Sequence, residues 1–559
     1  MPARIHKSPF PDINLVEDDL LSFLLSNPFN TPPTKPLFVD AISGETYTYA
    51  ETIQRTKSLA YGLRRLGVKR GDIVSIFSPN TIDYPILCYA ILGCGATISP
   101  MNAALTVAEV HHQLTVSGAK YIIVHESLLD TAQKAAKGTQ VQHIIRDRAR
   151  STPAAKNEII AVELAKTCPS SEALLSLPKE RLDTQPAFIC FSSGTTGAAK
   201  GVEISHNNLT ANIQQWQELY YSEIPPSPTA VAFLPFSHIY AVNAIICGAL
   251  YRGTTMAVLP RFDLDVYLRS IQTYKPDELH LVPPIALMLW KDPRVQKYDL
   301  SSVRRIMSAA APLSAELGDA VENKFKATWG TTVHCHQGWG LTETSPAVTG
   351  IHTSRWNKRR TVGCVGPNME IRLVDNETGE DVVDPSQQGE VWVRGPNVVK
   401  GYYRNEEATK EAFHIDEQGR RWFKTGDIAT IDQEGYVVIR DRIKEMIKYK
   451  GLQVIPSELE GKLIQHPDIE DCGVTALWDE SQATELPVAF VVLKSASRTD
   501  PSQDVIKRIH EWLNARVANH KKLRGGIRIV DGIPKSPSGK ILRRVLKDSL
   551  KVKPVPAKL

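Results

Sequence analysis

A loop that combines hydroxyl groups, glycines and a lysine constrains this chain more than any other feature of its sequence. The loop is Ser192-Ser193-Gly194-Thr195-Thr196-Gly197-Ala198-Ala199-Lys200-Gly201. Glycines let backbone N–H groups face an anion without a Cβ in the way, the hydroxyls donate hydrogen bonds, and Lys200 adds a positive charge. The loop therefore favours polyphosphate binding, although a Ser/Gly/Thr surface loop would explain it equally well if it stood alone.

The flanks of the loop predict a phosphate site between a strand and a helix. The apolar run 188–191 predicts a buried strand, and Leu209, Ile213 and Trp216 recur at helical spacing. The loop does not end in the Gly-Lys-Ser/Thr sequence of a Walker P-loop. A different phosphate chemistry is therefore predicted.

Length, charge and cysteine content narrow the classes of protein. The 559 residues exceed one ordinary core, so we expect at least two domains, and 42% apolar residues suffice to bury them. The net charge of +5 comes from charged residues mixed along the chain, without the basic stripe of a nucleic-acid-binding protein. The eight cysteines contain no C-x-x-C pair, which favours buried reduced thiols over a disulfide framework or a zinc site.

The two ends of the sequence bear on location. Residues 1–36 lack a signal-peptide pattern, and no apolar run approaches the roughly 18 residues of a membrane span, so we expect a soluble protein. The last three residues, Ala557-Lys558-Leu559, are similar to the peroxisomal address of which Ser-Lys-Leu is the standard form. We therefore expect the peroxisomal import receptor as a partner and a peroxisomal location, with the cytoplasm as the alternative.

Alternating helical and strand patterns predict an α/β fold. Between Tyr49 and Val124, amphipathic helical spacing alternates with short strands at 73–77 and 121–124, and a second alternating region follows the loop. Beyond Gly363 the sequence is rich in strands and turns, which predicts a β-rich subdomain. The large N-terminal domain is thus expected to contain layered α/β subdomains and a β-rich one.

A dense run of charges predicts where the large domain ends. The run 441–448 precedes a new stretch with helix and strand patterns, long enough for a small domain. We expect domains at 1–440 and 441–559, with a hinge at 441–447. The second domain is predicted to be a mobile α+β lid.

Five segments in one order point to a known family. They are Ser192 to Lys200, Leu234-Pro235-Phe236-Ser237-His238-Ile239-Tyr240, Gln337-Gly338-Trp339-Gly340-Leu341-Thr342-Glu343, Lys424-Thr425-Gly426-Asp427 and Pro534-Lys535-Ser536-Pro537-Ser538-Gly539-Lys540. Together they resemble the adenylate-forming (AMP-binding) superfamily, in particular acyl-CoA ligases of the 4-coumarate:CoA ligase and firefly-luciferase-like branch. The resemblance implies an acid:CoA ligase that forms an acyl-adenylate and then an acyl-CoA thioester, using ATP, Mg²⁺ and coenzyme A.

The resemblance implies that residues of four of the five segments, with two from the hinge, bind ATP or AMP. These are Ser192, Ser193, Gly194, Thr195, Thr196, Lys200, Gln337, Gly338, Trp339, Thr342, Asp427, Arg442, Lys444 and Lys540. Glu343 would be the magnesium ligand, because a carboxylate is a hard oxygen donor. Trp339, where the family more often has tyrosine, keeps a flat face for adenine. Asp427 would accept hydrogen bonds from the ribose hydroxyls.

The catalytic residues that the resemblance implies are Lys540, Lys448, Thr342 and His238. Lys540 would place an ammonium between the carboxylate and the α-phosphate as negative charge builds. Rotation of the small domain about Lys444 would then present its opposite face to coenzyme A. The implied coenzyme A contacts are Arg261, Lys450, Gly451 and Gln453. His238 would position the substrate, and a structural role for it stays open.

The resemblance also places an acyl pocket. Its positions are Tyr240, Ala244, Lys291, Ala309, Gly338, Gly340, Pro346 and Ala347. Ala244 and Ala347 stand where true 4-coumarate ligases have serine and valine, so both remove bulk. We therefore expect an aryl, alkenyl or medium-chain carboxylic acid. A methylene-sized change in the pocket alters the free energy of discrimination between such acids by only ~1–3 kcal/mol.

Other activities stay open at this stage. One is a stand-alone adenylating enzyme that passes acyl groups to a carrier protein in secondary metabolism, although 448–453 matches users of coenzyme A. Another is a luciferase-like oxygenase that acts on an acyl-AMP, which needs no additional motif. A nucleotide-binding regulator without catalysis is disfavoured by the presence of both Lys540 and Glu343.

Overall fold

The computed structural model describes most of the chain. The described residues are 4–148, 159–165, 174–192, 199–224, 228–450, 452–480, 482, 484–497, 502–536 and 539–550. Some predicted site residues lie outside them: Ser193, Gly194, Thr195, Thr196, Gly451 and the tripeptide Ala557-Lys558-Leu559.

A seven-stranded sheet organises the first α/β unit. In spatial order its strands are Lys200–Ser205, Pro186–Ser192, Thr97–Met101, Ile73–Phe77, Tyr121–Val124, His143–Arg146 and Ile159–Ile160. All neighbours are parallel except the first pair, which is antiparallel. The strands predicted at 73–77 and 121–124 are confirmed, and every residue in them is buried.

The predicted arrangement around the phosphate loop needs one correction. The strand before the loop is confirmed as Pro186–Ser192, but the loop leads into a second strand, Lys200–Ser205, that pairs with the first. The predicted helix, His206–Leu219, begins only after that strand, at a capping box formed by Ser205 and Asn208. The two strands that flank the loop in sequence therefore pair with each other at the edge of the sheet, and residues 193–198 lie outside the described residues.

Two further sheets build the second α/β unit. One contains Thr229–Ala232, Thr255–Val258, Pro36–Asp40 and Thr46–Thr48, of which the last is antiparallel. The other contains the parallel strands Glu278–Leu281, Arg305–Ser308 and His334–Gln337. Leu281, Ser308 and Gln337 are paired in register at the carboxyl ends of these strands. The segments that follow them, including Ala309 and Gly338, therefore start at one edge of the sheet.

The predicted β-rich subdomain is confirmed as a six-stranded antiparallel sheet. Its strands are His6–Lys7, Glu370–Val374, Gly389–Arg394, Phe413–Ile415, Arg421–Ile431 and Val437–Arg442. A small antiparallel sheet of Trp339–Gly340, Ala347–Gly350 and Cys364–Val365 lies before it in the chain. The register pairs Asp427 with Arg442, so the strand Val437–Arg442 continues into the predicted hinge.

The C-terminal part has its own core. It contains the hairpin Ile447–Tyr449 and Leu452–Val454, and a sheet of Ile469–Asp479, Thr484–Leu493 and Ile527–Ile529. Buried residues from Ile447 to Ile527 form one hydrophobic cluster separate from those of the large part. We call residues from 443 onward the small domain, and those before it the large domain.

Helices cover the sheets of both domains. They are Leu20–Leu24, Tyr49–Leu66, Asp83–Leu92, Val107–Ser117, Leu129–Ala136, Ala161–Leu164, His206–Leu219, Ile239–Ala241, Gly248–Arg252, Leu264–Tyr274, Pro283–Lys291, Ala315–Trp329, Glu406–Ala412, Pro456–Leu463, Ser502–Asn514 and Arg543–Ser549. The segment Val242–Cys247, which contains Ala244, is a π-helix. Within the described part of the chain, no helix is long and apolar enough to cross a membrane.

The small domain packs against the large domain across a cavity. Nζ of Lys291 donates to the carbonyl oxygens of Ile464 and Ile469, at 3.2 and 3.1 Å. A Cβ built at Gly461 of the small domain would lie 3.6 Å from Cβ of Ser314 in the large domain. The two domains therefore meet in direct contact on this side.

The cysteines agree with the expectation of buried thiols. The seven that the structure describes are unpaired and buried: Cys88, Cys94, Cys190, Cys247, Cys335, Cys364 and Cys472. Cys168 lies outside the described residues. Burial raises the pKa of each described thiol, which keeps it protonated and inert.

Candidate active site

A cavity of about 2160 Å³ lies between the two domains and collects most of the predicted site residues. The predicted residues that line it are Ser192, Lys200, His238, Tyr240, Ala309, Gln337, Gly338, Trp339, Gly340, Thr342, Glu343, Pro346, Ala347, Asp427, Arg442, Lys444 and Lys540. They come from the edges of four sheets and from the small domain. The cavity is large enough for a nucleotide together with a second reactant.

Some predicted residues lie elsewhere. Lys448, Lys450 and Gln453 are exposed on the small-domain hairpin and do not line the cavity, and Arg261 is exposed on the large domain. Lys291 also does not line the cavity, because its ammonium group is held by the small-domain carbonyls described above. Ala244 lines a separate, smaller cavity.

The Gly-Trp-Gly segment shows why glycines flank Trp339. A Cβ at Gly338 would lie 2.7 Å from Cε of Met307 and 3.2 Å from the ring of Trp216, and one at Gly340 would clash with the carbonyl of Pro346. Only glycine fits at Gly340, whereas a side chain at Gly338 would require Met307 to shift. The indole is thereby held at the cavity wall.

Asp427 is the hydrogen-bonding centre of one end of the cavity. Its Oδ2 accepts a hydrogen bond from Nε1 of Trp339 at 2.9 Å, and its Oδ1 pairs with Nε of Arg442 at 2.8 Å. The carboxylate is buried, and the neighbouring charge raises the pKa of Arg442. Because each carboxylate oxygen can accept a second hydrogen bond, Asp427 still has capacity for two hydroxyl groups.

Lys540 reaches the same end of the cavity from the small domain. Its Nζ lies 3.6 Å from Oε1 of Glu445, and Glu445 also pairs with Arg543. Arg543 in turn binds Glu460 at 2.7 Å, so the Lys540 loop is tied to the start of the small domain. Burial lowers the pKa of Lys540, and the Arg442 guanidinium lowers it further. The site thus places the ammonium group of Lys540, whose pKa is lowered, near Arg442 and Asp427.

Glu343 and Lys200 meet through Tyr402. The hydroxyl of Tyr402 donates to Oε1 of Glu343 at 3.0 Å, while Nζ of Lys200 lies 5.0 Å from the centre of the Tyr402 ring. The carboxyl group of Glu343 is buried, and this burial raises its pKa. A divalent cation would relieve that cost, and a carboxylate is the donor that Mg²⁺ prefers.

The metal would have few protein ligands here. Among the described residues, no group of three or more His, Cys, Asp or Glu side chains could hold a metal ion. Mg²⁺ commonly binds through one or two carboxylates together with substrate phosphates. Glu343, linked to Lys200 through Tyr402, fits that mode.

Asparagine side chains hold the segment that carries Thr342 and Glu343. Nδ2 of Asn397 donates to the carbonyls of Thr344 and Ala347, at 2.7 and 2.9 Å. Asn212 donates to the same Ala347 carbonyl at 2.7 Å, and Asn243 donates to the carbonyl of Ser345 at 3.0 Å. These bonds fix the turn from three separate elements of the large domain.

His238 and Tyr240 are neutral at the opposite wall. Nδ1 of His238 accepts a hydrogen bond from the backbone N–H of Tyr240 at 3.3 Å, so this ring caps the start of a helix. Burial lowers the pKa of His238 to about 4 and raises the pKa of Tyr240. A neutral imidazole with one nitrogen used for capping suits positioning better than proton transfer.

The sequence reasoning missed several residues that support the site. They are Asn212, Trp216, Asn243, Asn397, Tyr402, Glu445 and Arg543. Trp216 was marked only by its helical spacing; the partners of the others are distant in sequence, so no local pattern marks them as site residues. The Arg543–Glu445 pair has the clearest signal, since Arg543 follows the Lys540 motif by three residues.

Comparisons with known proteins found matches along most of the chain. Residues 26–403 match the family model described as AMP-binding enzyme, and residues 458–540 match the AMP-binding enzyme C-terminal domain. The chain is 36% identical to 4-coumarate–CoA ligase 1 of Petroselinum crispum, over 97% of this chain and 96% of that protein. It is also 36% identical to peroxisomal OPC-8:0-CoA ligase 1 of Arabidopsis thaliana, over 91% and 89% of the two chains.

A solved structure extends the comparison to the fold. The ATP-bound MatB of Rhodopseudomonas palustris superposes with a TM-score of 0.81 at 26% identity, over 95% of this chain and 99% of that one. The large α/β domain, its β-rich part and the small domain thus recur together in an ATP-binding relative.

Proposed function

Because this chain belongs to the AMP-binding enzyme family, we propose that the cavity between its domains is where a carboxylic acid is joined first to AMP and then to coenzyme A. The chain is an AMP-forming, ATP-dependent acid:CoA ligase that uses ATP, Mg²⁺ and coenzyme A. The observation that carries the assignment of the site is that Lys540, Arg442 and Asp427 converge at one end of the cavity, from both domains.

The first half-reaction joins two anions. A carboxylate oxygen attacks the α-phosphorus of ATP, the bond to the bridging oxygen breaks, and pyrophosphate leaves with its electron pair. Charge neutralisation is the main requirement, so Lys540 is assigned to the forming bond and Lys200 to the leaving group. Mg²⁺, held by Glu343, would neutralise phosphate charge. Thr342 lies beside Glu343 and is assigned to the α-phosphate.

The nucleoside is assigned to the Asp427 end. Asp427 has one spare acceptor site on each oxygen for the ribose hydroxyls, and Arg442 holds it in place. The ring of Trp339 offers a face for adenine, while its N–H orients Asp427. Here tryptophan replaces the hydroxyl of the more common tyrosine with another hydrogen-bond donor.

The second half-reaction needs the small domain to move. The sulfur of coenzyme A attacks the acyl carbon, AMP leaves, and the thiol proton goes to solvent. Lys448, Lys450 and Gln453, which we assign to this step, are exposed outside the cavity in this arrangement. Rotation in the segment 441–447 would withdraw Lys540 and bring that face to the cavity.

The acid is proposed to be an aryl, alkenyl or medium-chain carboxylic acid. Tyr240, Ala309 and Ala347 line the cavity wall where its acyl part would lie. Lys291 is not part of this wall in the present arrangement.

A panel of carboxylic acids incubated with ATP, Mg²⁺ and coenzyme A tests the proposal. We expect pyrophosphate, AMP and a thioester to appear together with at least one acid of these classes. Formation of ADP in place of AMP would contradict the proposal.

Peroxisomal import through Ala557-Lys558-Leu559 is a further part of the proposal. The tripeptide supports it, as does the peroxisomal location in the name of the Arabidopsis relative. A fluorescent protein fused ahead of Met1 should accumulate in peroxisomes and lose that location when residues 557–559 are deleted. Peroxisomal location that survives the deletion would exclude this tripeptide as the signal.

A further inference from the structure

One helix of the large domain contacts the small domain at both of its ends. The helix is Pro283–Lys291, and its start lies against the loop that carries Lys540. A Cβ built at Gly539, next to Lys540, would lie 3.1 Å from Cγ2 of Val282 and 3.3 Å from Cγ of Pro284. The backbone of the Lys540 loop therefore packs closely on the first turn of this helix.

Lys291 forms the contact at the other end of the helix. Its Nζ donates to the carbonyl oxygens of Ile464 and Ile469 in the small domain, at 3.2 and 3.1 Å. With a rise of about 1.5 Å per residue, this end lies about 10 Å along the helix axis from Pro284. The small domain is thus held at two separated points of one rigid element. We call the contact of Lys291 with Ile464 and Ile469 the interdomain clasp.

The two carbonyls of the interdomain clasp belong to regular elements of the small domain. Ile464 is the C-cap residue of the helix Pro456–Leu463, and the last carbonyls of a helix lack partners within it. A cation at this end also interacts favourably with the helix dipole. Ile469 begins the strand Ile469–Asp479. The clasp therefore fixes the position of the small domain through both a helix and a strand.

A second lysine leaves Lys291 available for the interdomain clasp. Lys291 is the last residue of its own helix, where a lysine side chain can bond the carbonyls of the final turn. Here Nζ of Lys324 takes that place and donates to the carbonyls of Trp290 and Asp292, at 2.8 and 3.3 Å. The end of the large-domain helix is satisfied without Lys291, whose ammonium group crosses to the small domain.

The surroundings of Lys291 limit the strength of the interdomain clasp. Burial and the positive charge of Lys494 lower the pKa of Lys291 to about 8, although Asp471 and Glu470 act in the opposite direction. The cost of removing the ammonium group from water offsets part of the gain from its two hydrogen bonds. Such a balance suits a contact that must open in every catalytic cycle.

We propose that Lys291 is a positioning residue for the first half-reaction, because its clasp holds the small domain in the arrangement that places Lys540 in the cavity. The proposal rests on the proposed function, in which the small domain moves between the two half-reactions. Rotation of that domain would carry Ile464 and Ile469 away from the large-domain helix. The clasp therefore favours one arrangement over the other by its own free energy. Its loss should slow the first half-reaction and spare the second.

Lys291→Met removes the ammonium group and keeps a long side chain. We expect pyrophosphate release in a single turnover to slow by about threefold to tenfold, while thioester formation from preformed acyl-adenylate stays at or above the wild-type rate. Lys291→Arg, which keeps a cation able to donate to both carbonyls, should recover most of the loss. Lys297→Met, at an exposed lysine just after the helix, is the matched control and should leave both rates unchanged.

Two results would overturn the proposal. One is a Lys291→Met enzyme with wild-type rates in both half-reactions, and the other is equal slowing of both. If Lys291→Met fails to fold, Lys291→Gln gives the second measurement, with the same expected loss in the first half-reaction and the same contradicting results.

A disulfide between the domains distinguishes positioning by Lys291 from a direct part in the chemistry. Ser314→Cys with Gly461→Cys can form one, because the Cβ separation of 3.6 Å lies within the range of about 3.5–4.5 Å. With the small domain held covalently, the interdomain clasp is redundant. Lys291→Met in the oxidised enzyme should then release one equivalent of pyrophosphate at the rate of the oxidised enzyme that retains Lys291. A defect of undiminished size in the cross-linked enzyme would overturn the positioning role.

The failure of the clasp and the failure of the proposed function give different results. Absence of pyrophosphate release by the wild-type enzyme with every acid contradicts the proposed function, and the role of the clasp fails with it. Release by the wild-type enzyme, together with unchanged half-reactions in Lys291→Met, contradicts only the clasp.

Discussion

The two faces of the small domain differ in burial and in whether they line the cavity. The face with Lys540 is turned into the cavity, where its ammonium group is largely buried beside Glu445 and Arg442. The face with Lys448, Lys450 and Gln453 is exposed, and Gln453 accepts a hydrogen bond from Gln388 on the outside of the β-rich sheet at 2.8 Å. The small domain therefore carries two sets of polar side chains in two environments, and in this arrangement only the set with Lys540 lines the cavity.

This difference indicates how one site performs two displacements. Lys540 would neutralise the charge that builds as carboxylate meets phosphate, and would obstruct the approach of a thiol once the acyl-adenylate has formed. Withdrawing it with the whole domain removes that obstacle and supplies new contacts for coenzyme A. The two half-reactions should consequently respond to different mutations.

Replacement of Lys540 should give the largest difference between the effects on the two half-reactions. Lys540→Ala removes the cation from the forming bond, so we expect pyrophosphate release to fall by about 10²–10³-fold. Conversion of preformed acyl-adenylate to the thioester should stay within a few-fold of the wild-type rate. Lys507→Ala, an exposed lysine of the small domain, is the matched control. Equal losses in both half-reactions would refute the assigned role.

Replacement of Glu445 tests whether the residues that hold Lys540 support the first half-reaction. Glu445→Gln weakens its contacts with both Lys540 and Arg543, so we expect the first half-reaction to slow by roughly tenfold. The change should lie in kcat, since the nucleotide contacts of Asp427 and Thr342 remain. Stopped-flow measurement of pyrophosphate release gives the rate. A loss confined to the thioester step would show that Glu445 acts elsewhere.

Lys450 is the corresponding test of the other face. Lys450→Ala removes one exposed cation, and we expect KM for coenzyme A to rise by about threefold to tenfold. Pyrophosphate release without coenzyme A should be unchanged. Steady-state kinetics at varied coenzyme A concentration measure the effect. An unchanged KM for coenzyme A would remove Lys450 from the second step.

The two half-reactions should also differ in their pH dependence, and this difference should be smaller than the effects of the substitutions. Burial lowers the pKa of Lys540, so its protonated form persists only below that lowered value and is lost as the pH rises through it. The first half-reaction should therefore decline at a lower pH than an ordinary lysine, with its pKa of about 10.4, would require. The thioester step, measured from preformed acyl-adenylate, should not share this decline. Parallel profiles for the two steps would contradict the role of Lys540.

Much of the fold could be predicted because its signals are local. The strands at 73–77 and 121–124 are runs of β-branched and aromatic residues, and the turn-rich sequence after Gly363 marks the β-rich sheet. The strand Lys200–Ser205 was missed, because a lysine, a glycine and a glutamate interrupt its apolar residues. Tertiary pairing with Pro186–Ser192 overrides that weak propensity.

The site residues likewise divide into those that local sequence motifs could predict and those that they could not. Most of the motif residues that the structure describes line the cavity, because the described parts of the motifs lie at strand ends or in turns that face it. The bond of Tyr402 to Glu343 could not be predicted, since the two residues are 59 positions apart in sequence. The helical spacing of Trp216 indicated a core position, whereas the residue stands between two cavities.

A reversible cross-link between the domains tests the central claim most directly. The Cβ separation of 3.6 Å at Ser314 and Gly461 lies within the range of about 3.5–4.5 Å for a disulfide, so Ser314→Cys with Gly461→Cys should lock Lys540 in the cavity. The oxidised enzyme should release one equivalent of pyrophosphate at nearly the rate of the reduced enzyme and form almost no thioester until a reductant is added, while either single variant behaves as wild type. Thioester formation by the oxidised enzyme at the rate of the reduced one would contradict the account.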